Sequence, residues 1–325
     1  MISEVLMSAK NKIIIDTDPG VDDAVALFFA MAEPDIDILG ITTVNGNVPV
    51  DRCEENARKL CEFAWHRDIR VFKGCDCPLK RSVVNAEWVH GNDGLSGLDF
   101  GTPTYAGETQ SAVDFIIETV MNAPEHDVSI LAIGPLTNIA TAFLQEPKII
   151  PRIREMIIMG GGFSETGPRG NTTPYAEFNM FADPHAADIV FRLGERITVI
   201  PMEVGQQVRA DSAYMERLRD LTTRCAVVCA DMLERTAERL AAKTGKTDKN
   251  ETGTSLFDPC TVACLLRPAL FSGHYGTVQV NIDSKSEKFG MTLFEEGTKR
   301  NCLVIRKADR EAFLSMLADA LVALP

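Results

Sequence analysis

Between Lys12 and Val204 the chain alternates short runs of β-branched and other apolar residues with longer segments of helical period, a pattern that few folds can accommodate. "KIIID" (12–16) leads into a helix from about Val21. "DIDILGITTV" (35–44) precedes a helix through "RCEENARKLCEFA" (52–64), and "IRVFKG" (69–74) follows. The rhythm resumes with "DVSILAIG" (127–134), the helix "PLTNIATAFL" (135–144), "EMIIMGGG" (155–162), the helix "PHAADIVFRLG" (184–194) and "ITVIPMEV" (197–204). The strands are continuous apolar runs, as in a parallel sheet with helices on both faces. The 325 residues are 45% apolar and contain no linker. They predict a single α/β domain over 1–325, with a central, mostly parallel, doubly wound sheet flanked by helices. The site of such a fold lies at the carboxyl edge of its strands.

Three segments break the rhythm: 80–107, 163–179, and 210–251, a long helical pattern that ends in the polar string "AAKTGKTDKNETG". Long irregular segments in a compact domain tend to serve function. All three leave the sheet near strand ends. The 210–251 segment is expected to form helices covering the site, and its polar tail to order when substrate arrives.

A net charge of -13 argues against a nucleic-acid binder, which needs clustered Lys and Arg, and equally against binding to an anionic membrane surface. No run of 18 apolar residues occurs, and "MISEVLMSAKNK" lacks the form of a secretory signal, so a soluble, cytoplasmic protein is expected. The nine cysteines include no C-x-x-C. The pairs Cys225/Cys229 and Cys260/Cys264 are spaced to share a helix face as small buried hydrophobes.

The chemistry concentrates in "KIIIDTDPGVDDAVALFFA" (12–30), where Asp16, Asp18, Asp22 and Asp23 fall within eight positions between apolar runs. Carboxylates drawn out of water cost several kcal/mol each unless something positive compensates them. A helix N-terminus supplies about 0.3–1 kcal/mol per group, too little for the set. A divalent cation is the natural compensation, and all-oxygen ligands favour Ca²⁺ or Mg²⁺ over zinc. An EF-hand is excluded: counting from Asp16, the sixth position is Val21 rather than Gly and the twelfth is Leu27 rather than Glu.

"DTDPGVDDAVAL" resembles the nucleoside hydrolase signature D-x-D-P-G-x-D-D-x-x-A, and the similarity extends over essentially the whole chain. "TTVNGN" (42–47), "VHG" (89–91), "GPLTN" (134–138), "IIMGGG" (157–162), "AEFN" (176–179) with "DPHAA", and "DPCTVA" (258–263) follow in the family's order. The resemblance implies hydrolysis of the N-glycosidic bond of ribonucleosides, in purine or pyrimidine salvage, with a tightly held Ca²⁺ that binds the attacking water and the ribose hydroxyls. By similarity Asp18, Asp23, the Ile133 carbonyl and Asp258 hold the ion, and Asp18 acts as general base. Asp22, Glu177 and Asn179 grip the ribose, Asn171 lies near the 5′-hydroxyl, Asn47 lies beside the water, and Met159 belongs to the substrate site. A homodimer or homotetramer is carried over from the family in the same way.

One position departs from the pattern. Many members carry a histidine just before the last metal-binding aspartate, where this chain has Phe257 in "SLFDPCTVA". Three readings follow. Phe257 could activate the base by stacking, as in the purine-preferring branch, with Trp88 as a second aromatic face. His90 could donate the proton instead. Or the protein could bind a nucleoside or ribose with little turnover. A Mg²⁺-dependent aspartate phosphatase also opens with strand then D-x-D, but "PGVDD" would crowd its phosphate with further anions.

Overall fold

The computed structural model describes residues 10–164, 167–244, 253–297 and 302–325. In chain order the elements are β1 (Asn11–Thr17), α1 (Val21–Ala32), β2 (Ile36–Thr43), α2 (Val50–Phe63), β3 (Val71–Lys73), the single turn α3 (Glu87–His90), α4 (Ala112–Asn122) and β4 (Val128–Ala132). Next come α5 (Thr137–Gln145), β5 (Met156–Met159), α6 (Phe178–Ala182), α7 (Pro184–Leu193), β6 (Ile197–Ile200), α8 (Met202–Gly205), β7 (Arg209–Ala210), α9 (Ser212–Asp220) and α10 (Arg224–Thr244). The chain closes with β8 (Thr254–Ser255), α11 (Pro259–Leu266), β9 (Phe271–Val280), β10 (Thr292–Glu296), β11 (Cys302–Ala308) and α12 (Arg310–Leu321).

Among the described residues nine strands form one sheet in the order β10-β9-β11-β6-β5-β4-β1-β2-β3. From β3 across to β11 all neighbours run parallel, while β9 is antiparallel to both β11 and β10. The apolar runs are continuous because both faces are covered. Ile13 and Ile15 of β1 pack into one core with α1, α2 and α9–α12, whereas Ile14 packs into the other with α4, α5 and α7. α1 is apolar all round after its first turn, and every residue in it except Asp22 and Ala32 is buried. The predicted strands and helices up to Val204 are all present, although "ITVIPMEV" ends its strand at Ile200 and turns into α8. The final antiparallel strands extend the sheet beyond what the apolar runs announced.

The strand order runs outward in opposite directions from β1 and β4, which makes their junction the switch point where an open α/β sheet binds ligand. Among the described residues no helix is long and apolar enough to cross a membrane. All nine cysteines are free, and Cys225, Cys229, Cys260 and Cys264 are buried on their helices as the spacing predicted.

Candidate active site

At the end of β1 the chain must turn sharply into α1, and Gly20 is what lets it. A Cβ there would lie 2.5 Å from His90 Nδ1 and 2.7 Å from Asn47 Nδ2. Asp23, the third residue of α1, folds back over the turn. Its Oδ1 accepts from Thr17 Oγ1 (2.6 Å) and the Asp18 N–H (3.2 Å), and its Oδ2 accepts from the Gly20 N–H (3.0 Å) and Asn47 Nδ2 (3.0 Å). Asp23 thus does the work of a helix-capping and turn-forming acid.

Asp18 is fully buried. Its Oδ2 accepts the Asn47 backbone N–H at 2.6 Å, and its Oδ1 is buried without a hydrogen-bond partner. Asp22 points across the molecule: its Oδ2 accepts the N–H groups of Phe257 (2.7 Å) and Asp258 (3.0 Å), tying α1 to the start of α11, while its Oδ1 is partnerless. Asp258 completes the group. Burial, then the fields of Asp22, Asp23, Asp18 and Glu177, push its carboxyl well above the usual range. Burial likewise raises Asp18, and it raises Asp22 to about 7. Asp16, at the strand end, is bonded separately from these acids. Its Oδ1 accepts from Thr42 Oγ1 (2.6 Å) and Asn138 Nδ2 (2.8 Å) on neighbouring elements, and burial pushes its carboxyl up to about 7.

Glu177 and Asn179, spaced by two in the sequence, fall at the start of α6, both buried. Glu177 caps the helix, accepting from Asn179 N (2.9 Å), Met180 N (3.2 Å) and Gly161 N (2.9 Å). Asn179 Nδ2 donates to the carbonyls of Ile133 (2.9 Å) and Met159 (3.3 Å), so the amide bridges the ends of β4 and β5. His90 Nδ1 accepts the Val21 N–H at 3.0 Å, which leaves the ring proton on Nε2. Burial holds its pKa down at about 4, so the imidazole is neutral near pH 7.

These groups border a cavity of about 360 Å³. Asp22, Asn47, Ile133, Met159, Asn171, Glu177, Asn179 and Asp258 line it, and Trp88, His90 and Phe257 line it as well. Asp18 and Asp23 lie beneath, joined to the lining through Asn47. The Phe257 ring seats directly on Gly205, where a Cβ would come within 2.1 Å of Cδ1. Trp88 is 39% exposed rather than a buried anchor, and Lys243 Nζ stands 3.3 Å from its ring centroid. The 210–251 segment supplies α9 and α10, and α10 lines the cavity with Thr236, Ala237, Leu240 and Ala241. The tail over 245–252 lies outside the described residues. Arg209, Thr172 and the stretch Gly253–Ser255 also line the cavity. Sequence reasoning missed them, since lone polar or small residues carry no chemical signature.

The side chains fit a hard divalent cation on three counts. The donors are oxygens, Asp18 Oδ1 and Asp22 Oδ1 are buried without partners, and among the described residues none of Asp16, Asp18, Asp22, Asp23 and Asp258 is ion-paired. They do not stand in a ready-made cage, because among the described residues no three His, Cys, Asp or Glu side chains converge for a metal. The reason is local: hydrogen bonds occupy both oxygens of Asp23, and Asn179 caps the Ile133 carbonyl.

A family profile described as inosine-uridine preferring nucleoside hydrolase matches residues 13–315. The inosine-uridine preferring nucleoside hydrolase of Leishmania major is 34% identical over 317 residues, covering 96% of this chain and 97% of that one. The pyrimidine-specific ribonucleoside hydrolase RihA of Citrobacter koseri is 35% identical over 314 residues, covering 95% and 97%. The solved structure of the purine-preferring ribonucleoside hydrolase from Gardnerella vaginalis superposes with a TM-score of 0.88 at 28% identity, covering 96% of this chain and 98% of that one.

Proposed function

The chain belongs to the inosine-uridine preferring nucleoside hydrolase family and is an N-ribohydrolase; from that premise we propose that it works with Asp18 as general base beside a bound Ca²⁺ and prefers purine ribonucleosides. The observation that carries the proposal is the group of buried, uncompensated acids at the switch point, with partnerless oxygens on Asp18 and Asp22. Asp18, Asp23, Asp258 and the Ile133 carbonyl would hold the ion once Asn47 and Asn179 release their bonds to Asp23 and Ile133. The ion would neutralise the acids and lower the pKa of a water.

Asp18 Oδ1 takes the proton from the attacking water, while the Asn47 N–H on Oδ2 keeps the carboxylate oriented. Asp22 and Glu177, each fixed by backbone N–H groups, accept from the ribose hydroxyls. Asn179 keeps its Nδ2 on the Met159 carbonyl and offers Oδ1 to the same diol, and Asn171 stands at the 5′ end. Carboxylate and amide oxygens around the sugar stabilise the positive charge that develops as the glycosidic bond breaks.

At the departing base, neutral His90 offers its Nε2–H as a hydrogen-bond donor rather than as a charged acid. Phe257, pinned on Gly205, offers a π-face, and Trp88 offers the ring face that Lys243 does not cover. Two aromatic rings and no ionised acid beside the base support the purine preference, since the larger ring stacks better. The relatives' names divide between purine and pyrimidine substrates, so the base panel is the decisive experiment. Release of base from inosine, adenosine, uridine and cytidine should be measured with Ca²⁺ present. Purines are expected to turn over faster. Equal or faster pyrimidine turnover overturns the preference, and an Asp18→Ala loss below roughly tenfold, where general-base loss predicts 10²–10⁴, overturns the assigned base.

A further inference from the structure

The two halves of α10 are held by different means. Its first half docks through buried Cys225, Ala226, Cys229, Ala230, Met232 and Leu233. Its second half stands over the cavity and presents three cations at four-residue spacing, Arg235, Arg239 and Lys243, to the loop opposite. Arg235 Nη1 donates to the carbonyls of Ser96 (3.1 Å) and Gly97 (3.2 Å). Arg239 Nη1 donates to the Val89 carbonyl and to Ser96 Oγ (3.4 Å), and Ser96 Oγ lies 3.3 Å from Thr236 Oγ1. Lys243 covers Trp88.

The loop they grip needs holding. It has left-handed backbone at Gly91 (φ 86), Gly94 (φ 83), Ser96 (φ 59) and Gly97 (φ 71), and a serine in that region is strained. Within the loop the Ser96 N–H donates to the His90 carbonyl at 2.9 Å, so displacing Ser96 displaces the residue that bears the imidazole. Arginine suits the task because its rigid fork can reach two carbonyls at once, which an ammonium does less well.

We propose that Arg235 and Arg239 are positioning residues for the hydrolase reaction: from α10 they bind the carbonyls of Val89, Ser96 and Gly97 and so hold His90 against the base end of the cavity. This rests on the nucleoside hydrolase reading of the pocket. The arginines touch no substrate and act through the loop.

The test uses the full chain. Arg235→Met with Arg239→Met removes the donors but keeps apolar stems along the helix. Amide exchange over 88–97 should quicken by roughly tenfold or more, and KM for the best ribonucleoside should rise about tenfold with kcat changed less than about threefold. Arg239→Lys alone should fall between wild type and Arg239→Met. In a His90→Ala background the same pair of substitutions should cost less than about twofold, because the residue they position is gone. Unchanged loop exchange overturns the proposal, as does a KM penalty that multiplies undiminished with that of His90→Ala. A wild-type protein that releases no base would overturn the functional reading separately, and loop exchange would still decide the role of the arginines.

Discussion

Asp16→Asn isolates the cost of burying a carboxylate at the strand end. Asp16 is fully buried, one of its oxygens has no partner, and burial raises its pKa from 3.8 to about 7. Because the folded value lies above the unfolded one, the stabilising contribution of the protonated acid is whole below pH 3.8 and is lost as pH rises through about 7. A shift of that size corresponds to about 4 kcal/mol between pH 4 and pH 8, and relaxation around the site reduces it to on the order of 2–4 kcal/mol. Asparagine keeps the oxygen that accepts from Thr42 and Asn138 and carries no charge. Its melting temperature should therefore match wild type within a few degrees at pH 4.5 and exceed it by roughly 5 °C or more at pH 8. Differential scanning fluorimetry with excess chelator across that range reads the gap directly. A gap of the same size at both pH values would show that Asp16 is not ionised at a cost, and would undo the electrostatic argument for the whole strand end.

Phe257→Ala should lower kcat/KM for purine nucleosides by about 1–3 kcal/mol, some five- to 150-fold, and for pyrimidines by less; equal losses would count against stacking. Prolonged chelation should abolish turnover and lower the melting temperature, since an ion at 100 times its Kd stabilises the folded state by about 2.7 kcal/mol. Unchanged melting and activity after chelation would remove the cation from the mechanism.

The parallel half of the fold was legible because a strand covered on both faces has to be apolar throughout, as Ile13, Ile14 and Ile15 are. The antiparallel edge was not. β9 reads "FSGHYGTVQV", with glycines and exposed residues among its buried ones, as a half-solvated strand permits. In the site, the sequence marked which acids gather but not where they point. Asp16 and Asp18 look equivalent on paper, and the difference comes from Thr42 and Asn138, contributed by β2 and α5. The α10 wall was expected as a helix over the site, but not which of its residues face the cavity. Ala237 and Leu240 are chemically plain and acquire a role only by facing a cavity whose other side comes from distant segments.

The bond between Asp22 and the N–H of Asp258 spans 236 positions. During synthesis the first turn of α1 therefore waits, with its acid unanchored, until nearly four-fifths of the polypeptide has left the ribosome. A cation that needs Asp258 together with Asp18 and Asp23 cannot guide the early stages of folding, and a chain stalled before α11 would carry most of the sheet and no catalytic centre.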